Sequence, residues 1–262
     1  MKKTIISFFL FMAVVSAFAQ DPYTVLSNDD TVLTFYFDDQ MISRKGHPLR
    51  PYLMPKERPW HHAANKITKV VFDTSFARYQ TLTSTGYWFT LCKNLKTIVG
   101  IANLVTYQVE NMTAMFDHCS SLKSIDLSHF HTSNVRGMLN MFYGCTSLTS
   151  IDLSSFNTIS LLKTTGMFQE CSSLTTLDLS TFKTNRLETI HSMFKNCRNL
   201  KTIYVSENWD ISKLREGIEV FVGCTNLVGE KGTKFSDIHV DFSYAHVDGG
   251  VSKPGYFTLK EK

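Results

Sequence analysis

Apolar positions along this chain recur with a long period, about 26 residues, superimposed on two short ones. Four units open with Met115-Phe116, Met141-Phe142, Met167-Phe168 and Met193-Phe194, and each is followed at fixed offsets by a cysteine, a leucine and an aliphatic pair. From Met141 to Thr158 the unit reads M-F-x-x-C-x-S-L-x-x-I-D-L-S-x-F-x-T. Upstream of each Met-Phe pair, residues such as Val135, Met138, Met141 and Phe142 fall three or four apart, the spacing of one face of a short helix. Downstream, Leu148, Ile151 and Leu153 suit a turn and then a strand with alternate side chains pointing inward. A helix, a turn and a strand repeated in one order require parallel strands, one per coil.

A fixed period of this length with an L-x-x-I-x-L core is the mark of a stacked repeat array, in which no unit has a core of its own. The expected fold class is therefore α/β, a right-handed leucine-rich-repeat solenoid with short helices on the face opposite the strands and β-rich caps. Ile67, Val70 and Phe72 keep the strand spacing, so the first array strand is placed over 67–73, and Trp88-Phe89 stands in the Met-Phe place. Thr31–Phe37 reads as a single strand, followed by a proline-rich loop from Pro48 to Pro59. After Leu227 the pattern stops, and 238–244 and 256–259 read as two strands about the Gly249-Gly250 turn. The expected partition is a signal peptide over 1–19, an N-terminal cap over 20–66, the solenoid over 67–227 and a C-terminal β cap over 228–262.

Cysteine usage sharpens this picture. Cys92, Cys119, Cys145, Cys171, Cys197 and Cys224 are 27, 26, 26, 26 and 27 residues apart, so every cysteine is one position of one repeat. That spacing favours a buried column of thiols, the alternative being disulfides between adjacent coils with Cα atoms within about 7 Å. A basic start at Lys2-Lys3, an apolar run to about Val15 and Ala17-Phe18-Ala19 read as a cleaved signal, and export is expected. No later stretch is apolar for long enough to span a bilayer. The formal charge is +4, of which Lys2 and Lys3 supply two, leaving +2. With no basic run, nucleic acid is not an expected partner.

Candidate chemistry is sparse. Between the two inward strand residues lies an outward one, occupied in turn by Val99, Asp126, Asp152, Asp178 and Tyr204. Parallel strands about 4.8 Å apart would stack three carboxylates, which raise one another's pKa or recruit calcium or a basic ligand. The competing reading is a polar ladder in which Ser128, Ser154 and Ser180 bond the carboxylates. Calcium asks for six to eight converging oxygens, more than a flat ladder offers. Histidines such as His129 and His131 lack the partners that metal ligation needs, so neither a metal nor a cofactor is expected. No nucleophile, phosphate loop or catalytic set converges, and an enzyme is not expected. Tyr204 and Trp209 break the repeat late in the array and are, with the three aspartates, the candidate ligand contacts. Tyr36, Tyr52, Trp60, Tyr79, Tyr107 and Tyr143 also lie outside the repeat register, and about half of this set is expected to be cap packing.

The repeat run resembles that of the BspA-like leucine-rich-repeat surface proteins of Bacteroidetes and related bacteria. The resemblance extends to Tyr23–Asp38, to Thr83-Ser84-Thr85-x-Tyr87-Trp88-Phe89 and to Asp248-Gly249-Gly250-x-x-x-Pro254-Gly255-Tyr256-Phe257. It implies an exported or cell-surface, adhesin-like protein that engages other proteins or host surfaces; the expectation for this chain is recognition of a protein or glycan without chemistry. The alternative is a structural or assembly component of the cell envelope.

Overall fold

The computed structural model describes residues 20–261. The signal-peptide reading of 1–19 lies outside them. Eight short strands form two sheets. In the first, β1 (Tyr23–Leu26), β2 (Val32–Tyr36), β3 (His47–Pro48), β4 (Lys69–Phe72) and β5 (Thr97–Val99) are ordered β3-β1-β2-β4-β5. In the second, β6 (Thr176–Asp178), β7 (Thr202–Val205) and β8 (Phe257–Leu259) are all parallel.

The coils, numbered one to six by their cysteines from Cys92 to Cys224, stack so that residue n lies beside residue n + 26 or n + 27. A file of parallel bridges runs without a break through Ser84, Asn111, Gly137, Lys163, Thr189 and Glu216. Inside the stack the Met-Phe pairs and cysteines are fully buried. The rings of Phe116, Phe142, Phe168, Phe194 and Phe221 lie over one another at 5.7, 5.8, 6.1 and 5.7 Å.

The expected helices are not there: among the described residues the chain forms only short 3-10 turns and no α-helix. The helical spacing of apolar residues has another origin. Successive turns closed by bonds from residue i+3 to residue i, such as Val135 to Thr132, Met141 to Met138, Cys145 to Phe142 and Leu148 to Cys145, also return a side chain to the interior every third or fourth position. Two residues per coil, four apart, adopt left-handed backbone: Tyr87 and Leu91, Ala114 and His118, Asn140 and Gly144, Gly166 and Glu170, Ser192 and Asn196, Glu219 and Gly223. Nine of these twelve carry a side chain there, at roughly 1–2 kcal/mol each. This reversal turns alternate N–H groups toward the next coil. Ala114, Phe116 and His118 donate to Leu139, Met141 and Tyr143, and Asn140, Phe142 and Gly144 to Thr165, Met167 and Gln169. Those donors are thereby lost to any helical i−4 bond.

The caps also differ from expectation. β1 and β2 form an antiparallel hairpin rather than one strand, and β2 pairs in parallel with β4, so the sheet begins within 20–66. At the other end only 257–259 is a strand. Residues 238–244 are loop and a 3-10 turn instead, with Phe242 packed against the core. β8 lies where the strand of coil six would lie, pairing Ile203 with Phe257 and Val205 with Leu259.

Candidate binding surface

Three columns hold the coils in register and so fix what the outer surface presents. The first is the thiols. Cys119, Cys145, Cys171, Cys197 and Cys224 each donate Sγ–H to the carbonyl of the phenylalanine one coil before, Phe89, Phe116, Phe142, Phe168 and Phe194, at 3.3, 3.2, 3.1, 3.0 and 2.9 Å. All six cysteines are free. Burial pushes Cys92 and Cys224 up to about 12 and raises the other four well above the ordinary thiol value. The second column is the buried threonines Thr106, Thr132, Thr158 and Thr184. Thr132 Oγ1 donates to Asn157 O (3.1 Å) and accepts from Asn157 N (2.8 Å), and Thr106 and Thr158 do the same with His131 and Lys183. These threonines are bridges between coils. The third column is the left-handed ladder.

The first coil has no predecessor to donate to its carbonyls, and a side chain takes the place of one. Arg58, 2% exposed, donates Nη1–H to Trp88 O (2.8 Å) and Nη2–H to Thr90 O (2.9 Å). Trp60 Nε1–H adds a second donor to Trp88 O at 2.9 Å. Trp88 and Thr90 occupy the repeat positions of Met115 and Asp117, whose carbonyls accept from Phe89 N and Leu91 N. The guanidinium thus imitates two backbone amides. Nothing in the repeat pattern singles out Arg58. Its signal is indirect, an arginine between Glu57 and Pro59 just ahead of an array that must be closed.

At the far end a carboxylate does the organising. Asp248, 1% exposed, accepts from Lys231 N, Thr233 N, Thr233 Oγ1 and Gly250 N at 2.8–3.0 Å. Burial raises its pKa, but these donors outweigh it and hold the group at about 2. Gly229 and Gly255 flank this turn because neither has room for a Cβ: at Gly229 it would lie 2.2 Å from Gly255 O, and at Gly255 2.5 Å from His246 O.

The strand face places the predicted ligand contacts unequally. Asp126 and Asp152 are exposed, and Asp178 and Tyr204 are half-buried beside them. Each aspartate folds onto its own backbone, accepting from the N–H two residues on: Ser128, Ser154 and Ser180, at 3.0, 2.9 and 2.9 Å. Those bonds keep all three carboxyls below the usual range, the opposite of the mutual raising expected. For Asp126 the leading cause is the Ser128 hydroxyl, for Asp152 the Ser154 amide. Neighbouring aspartates raise Asp152 only as a lesser effect. For Asp178 burial raises the pKa, and the ammonium of Lys260 and the Ser180 donors more than reverse it. Lys260 reaches Asp178 past Tyr204 from beyond β8 and forms an ion pair with it. The polar-ladder reading therefore describes these carboxylates, and no group of ligating side chains fit for a metal occurs among the described residues.

Trp209 leaves the candidate set. Its Nε1–H donates to Ala245 O at 2.9 Å and its ring stands edge-on to Phe257 at 5.1 Å, so it pins the C-terminal cap. Tyr52 and Trp60 are likewise core, each 1% exposed. Tyr107 is 58% exposed, its ring 3.8 Å from that of His131.

Coils two to five share an L-x-x-I-x-L type register with one inward aliphatic pair each, the register of leucine-rich repeats, and β4 to β5 and β6 to β8 pair in parallel. A family described as "Mycoplasma protein of unknown function, DUF285" matches residues 110–234, the part that holds Cys119 to Cys224. Among solved structures the chain is similar to the leucine-rich repeat protein TpLRR of T. pallidum, at 20% identity over 78% of this chain and 86% of that one, with a TM-score of 0.45. It is also similar to a leucine-rich repeat protein of Eubacterium ventriosum, at 16% identity over 80% and 78% of the two chains, with a TM-score of 0.23. No curated protein matches it. No helix among the described residues is long and apolar enough to cross a membrane.

Proposed function

We propose that this is an exported, non-enzymatic binding protein of the BspA-like kind, whose strand face recognises a protein or host-surface ligand. The observation that carries the reading is a division of labour within the repeat. Column positions, the cysteine, the Met-Phe pair and the inward threonine, stay nearly constant from coil to coil, because each must match the coil below. The outward strand position holds an aspartate in coils two to four, Asp126, Asp152 and Asp178, and changes at the two ends, to Val99 and Tyr204. A constant interior beneath an outward row of carboxylates suits a preformed recognition surface, for which little ordering cost falls due on binding. Charge on the face is negative and held ionised, which favours a ligand that brings basic groups. The C-terminal segment itself supplies one such group, Lys260 on Asp178.

The test is capture of ligands from a host-protein and glycan panel by residues 20–262, in parallel with Asp126→Ala/Asp152→Ala and Tyr204→Ala. Binding lost in these variants at unchanged melting temperature supports the strand face. Binding retained in both removes it from the reading.

A further inference from the structure

The strand file is not continuous. β5 belongs to coil one and β6 to coil four, and in coils two and three the equivalent segments, 124–126 and 150–152, form no ladder. The side chains keep their register all the same: Leu127 and Leu153 are buried, and Ile125 and Ile151 pack against the core. What is missing is the strand ladder across three successive junctions, from β5 to β6; one backbone bond remains beside it, from Thr149 N–H to Lys123 O at 3.2 Å. On the other sides of these coils nothing lapses. The file through Asn111, Gly137 and Lys163 is intact, as is the threonine column through Thr106, Thr132 and Thr158.

Two further observations agree. Coils two and three are 5.7 Å apart at Phe116 and Phe142 but 6.5 Å at Phe130 and Phe156. A groove lined by Thr97, Ile98, Ser124, Ile125 and Asp126 opens at the first junction without a ladder. The sequence supplies a cause. The strands that form in the array begin with a β-branched residue, Thr97, Thr176 and Thr202, whereas the two segments that do not begin with Ser124 and Ser150. Serine lacks the second substituent that favours extended backbone on a pleated surface.

We infer that coils two and three are a flexure: two laddered ends, β1–β5 and β6–β8, bend about the unbroken files on the far side, and the strand face widens or narrows at Ser124–Asp126 and Ser150–Asp152. The bend preserves the thiol and threonine columns and changes only the curvature of the outer row. This follows from the hydrogen bonding alone and holds whether or not the face binds a ligand.

Amide hydrogen exchange on residues 20–262 tests it. Segments 124–127 and 150–153 exchange at least about 100-fold faster than 177–179 and 203–205, while Phe116 and Phe142, amides of the same coils bonded to Met141 O and Met167 O, remain protected. Equal protection of the four strand segments overturns the flexure. In Ser124→Thr/Ser150→Thr, exchange at 124–127 and 150–153 slows at least about 10-fold with the two ends unchanged. No slowing in a folded variant overturns the role given to serine. Fast exchange of Phe116 and Phe142 together with the strand segments also overturns the flexure, since the coils would then open as a whole.

Discussion

Six thiols held out of water make the folded state sensitive to alkali in a way that can be worked through. The perturbation is a rise in pH from 7 to 10. In the unfolded chain each cysteine ionises with its ordinary value of 9.0, while in the folded chain burial holds Cys92 and Cys224 at about 12 and raises the other four well above that ordinary value. A pKa raised by folding leaves stability unchanged below the unfolded value and removes it as pH climbs from there toward the folded value, because only the unfolded state releases protons. Each thiol costs about 0.4 kcal/mol at pH 9 and about 1.4 kcal/mol at pH 10, so six remove roughly 2.5 and then 8 kcal/mol. Set against a total of about 5–15 kcal/mol for a domain, the fold is expected to fail between about pH 9.5 and 10.5. Tyr23 and Tyr52, raised to about 12 from 10.0, add to this only above pH 10. The assay is urea unfolding followed by circular dichroism at half-unit intervals from pH 7 to 10 in reducing buffer. Replacing one thiol, Cys171→Ala, lowers stability at pH 7 and reduces the alkaline slope by about one sixth. A stability that stays flat up to pH 9.5 would refute the reasoning, since solvated thiols or disulfides give no such limb.

The acid side answers to Asp248. Held at about 2 against an ordinary 3.8, it contributes about 2.5 kcal/mol above pH 4 that is lost as pH falls toward 2, and Asp248→Asn should forfeit about 2 kcal/mol at pH 7 and blunt the acid limb of a melting-temperature profile. Arg58→Met keeps bulk but leaves Thr90 O without the guanidinium donor, for an expected loss of about 2–4 kcal/mol by urea unfolding; a neutral result would remove Arg58 from its capping role. Gly166 has φ +62°, and a Cβ there would meet Asn140 Oδ1 at 2.1 Å, so Gly166→Ala should cost about 2 kcal/mol or more. Glu170→Gly, at φ +61° in the partner position of the same coil, should change stability by less than about 0.5 kcal/mol, because relieved strain and added chain entropy nearly cancel.

What the sequence made legible was whatever repeats. Cys92 to Cys224, the Met-Phe pairs and the aliphatic residues flanking Asp126, Asp152 and Asp178 announced a column and its contents; the thiols, the Met-Phe pairs, Leu127, Leu153, Leu177 and Leu179 are buried as expected, while Ile125 and Ile151 are half-buried. The path between column positions was not legible. An apolar residue every third or fourth place is shared by a helix and by a run of tight turns, and only the left-handed residues separate the two; three of the twelve are glycine, too few to read as a pattern. Trp209 deceived for a different reason. It departs from the repeat because it meets the cap, whose packing depends on residues some 36 positions later. Arg58 was silent because its partners are carbonyls, which every residue has. Ser124 and Ser150 sit within the motif, one methyl short of the threonines that open β5, β6 and β7.

Arg58 has one more implication. A guanidinium that impersonates a preceding turn of chain can satisfy the top of the pile only if nothing is laid above it, just as β8 closes the bottom by filling the berth of a strand. Growth or shrinkage of this molecule is thereby confined to its middle, where one storey resembles the next. Duplicating or excising 26 residues between Cys119 and Cys197 leaves both lids in place, and evolution could change the reach of the outer wall in steps of one storey without redesigning either end.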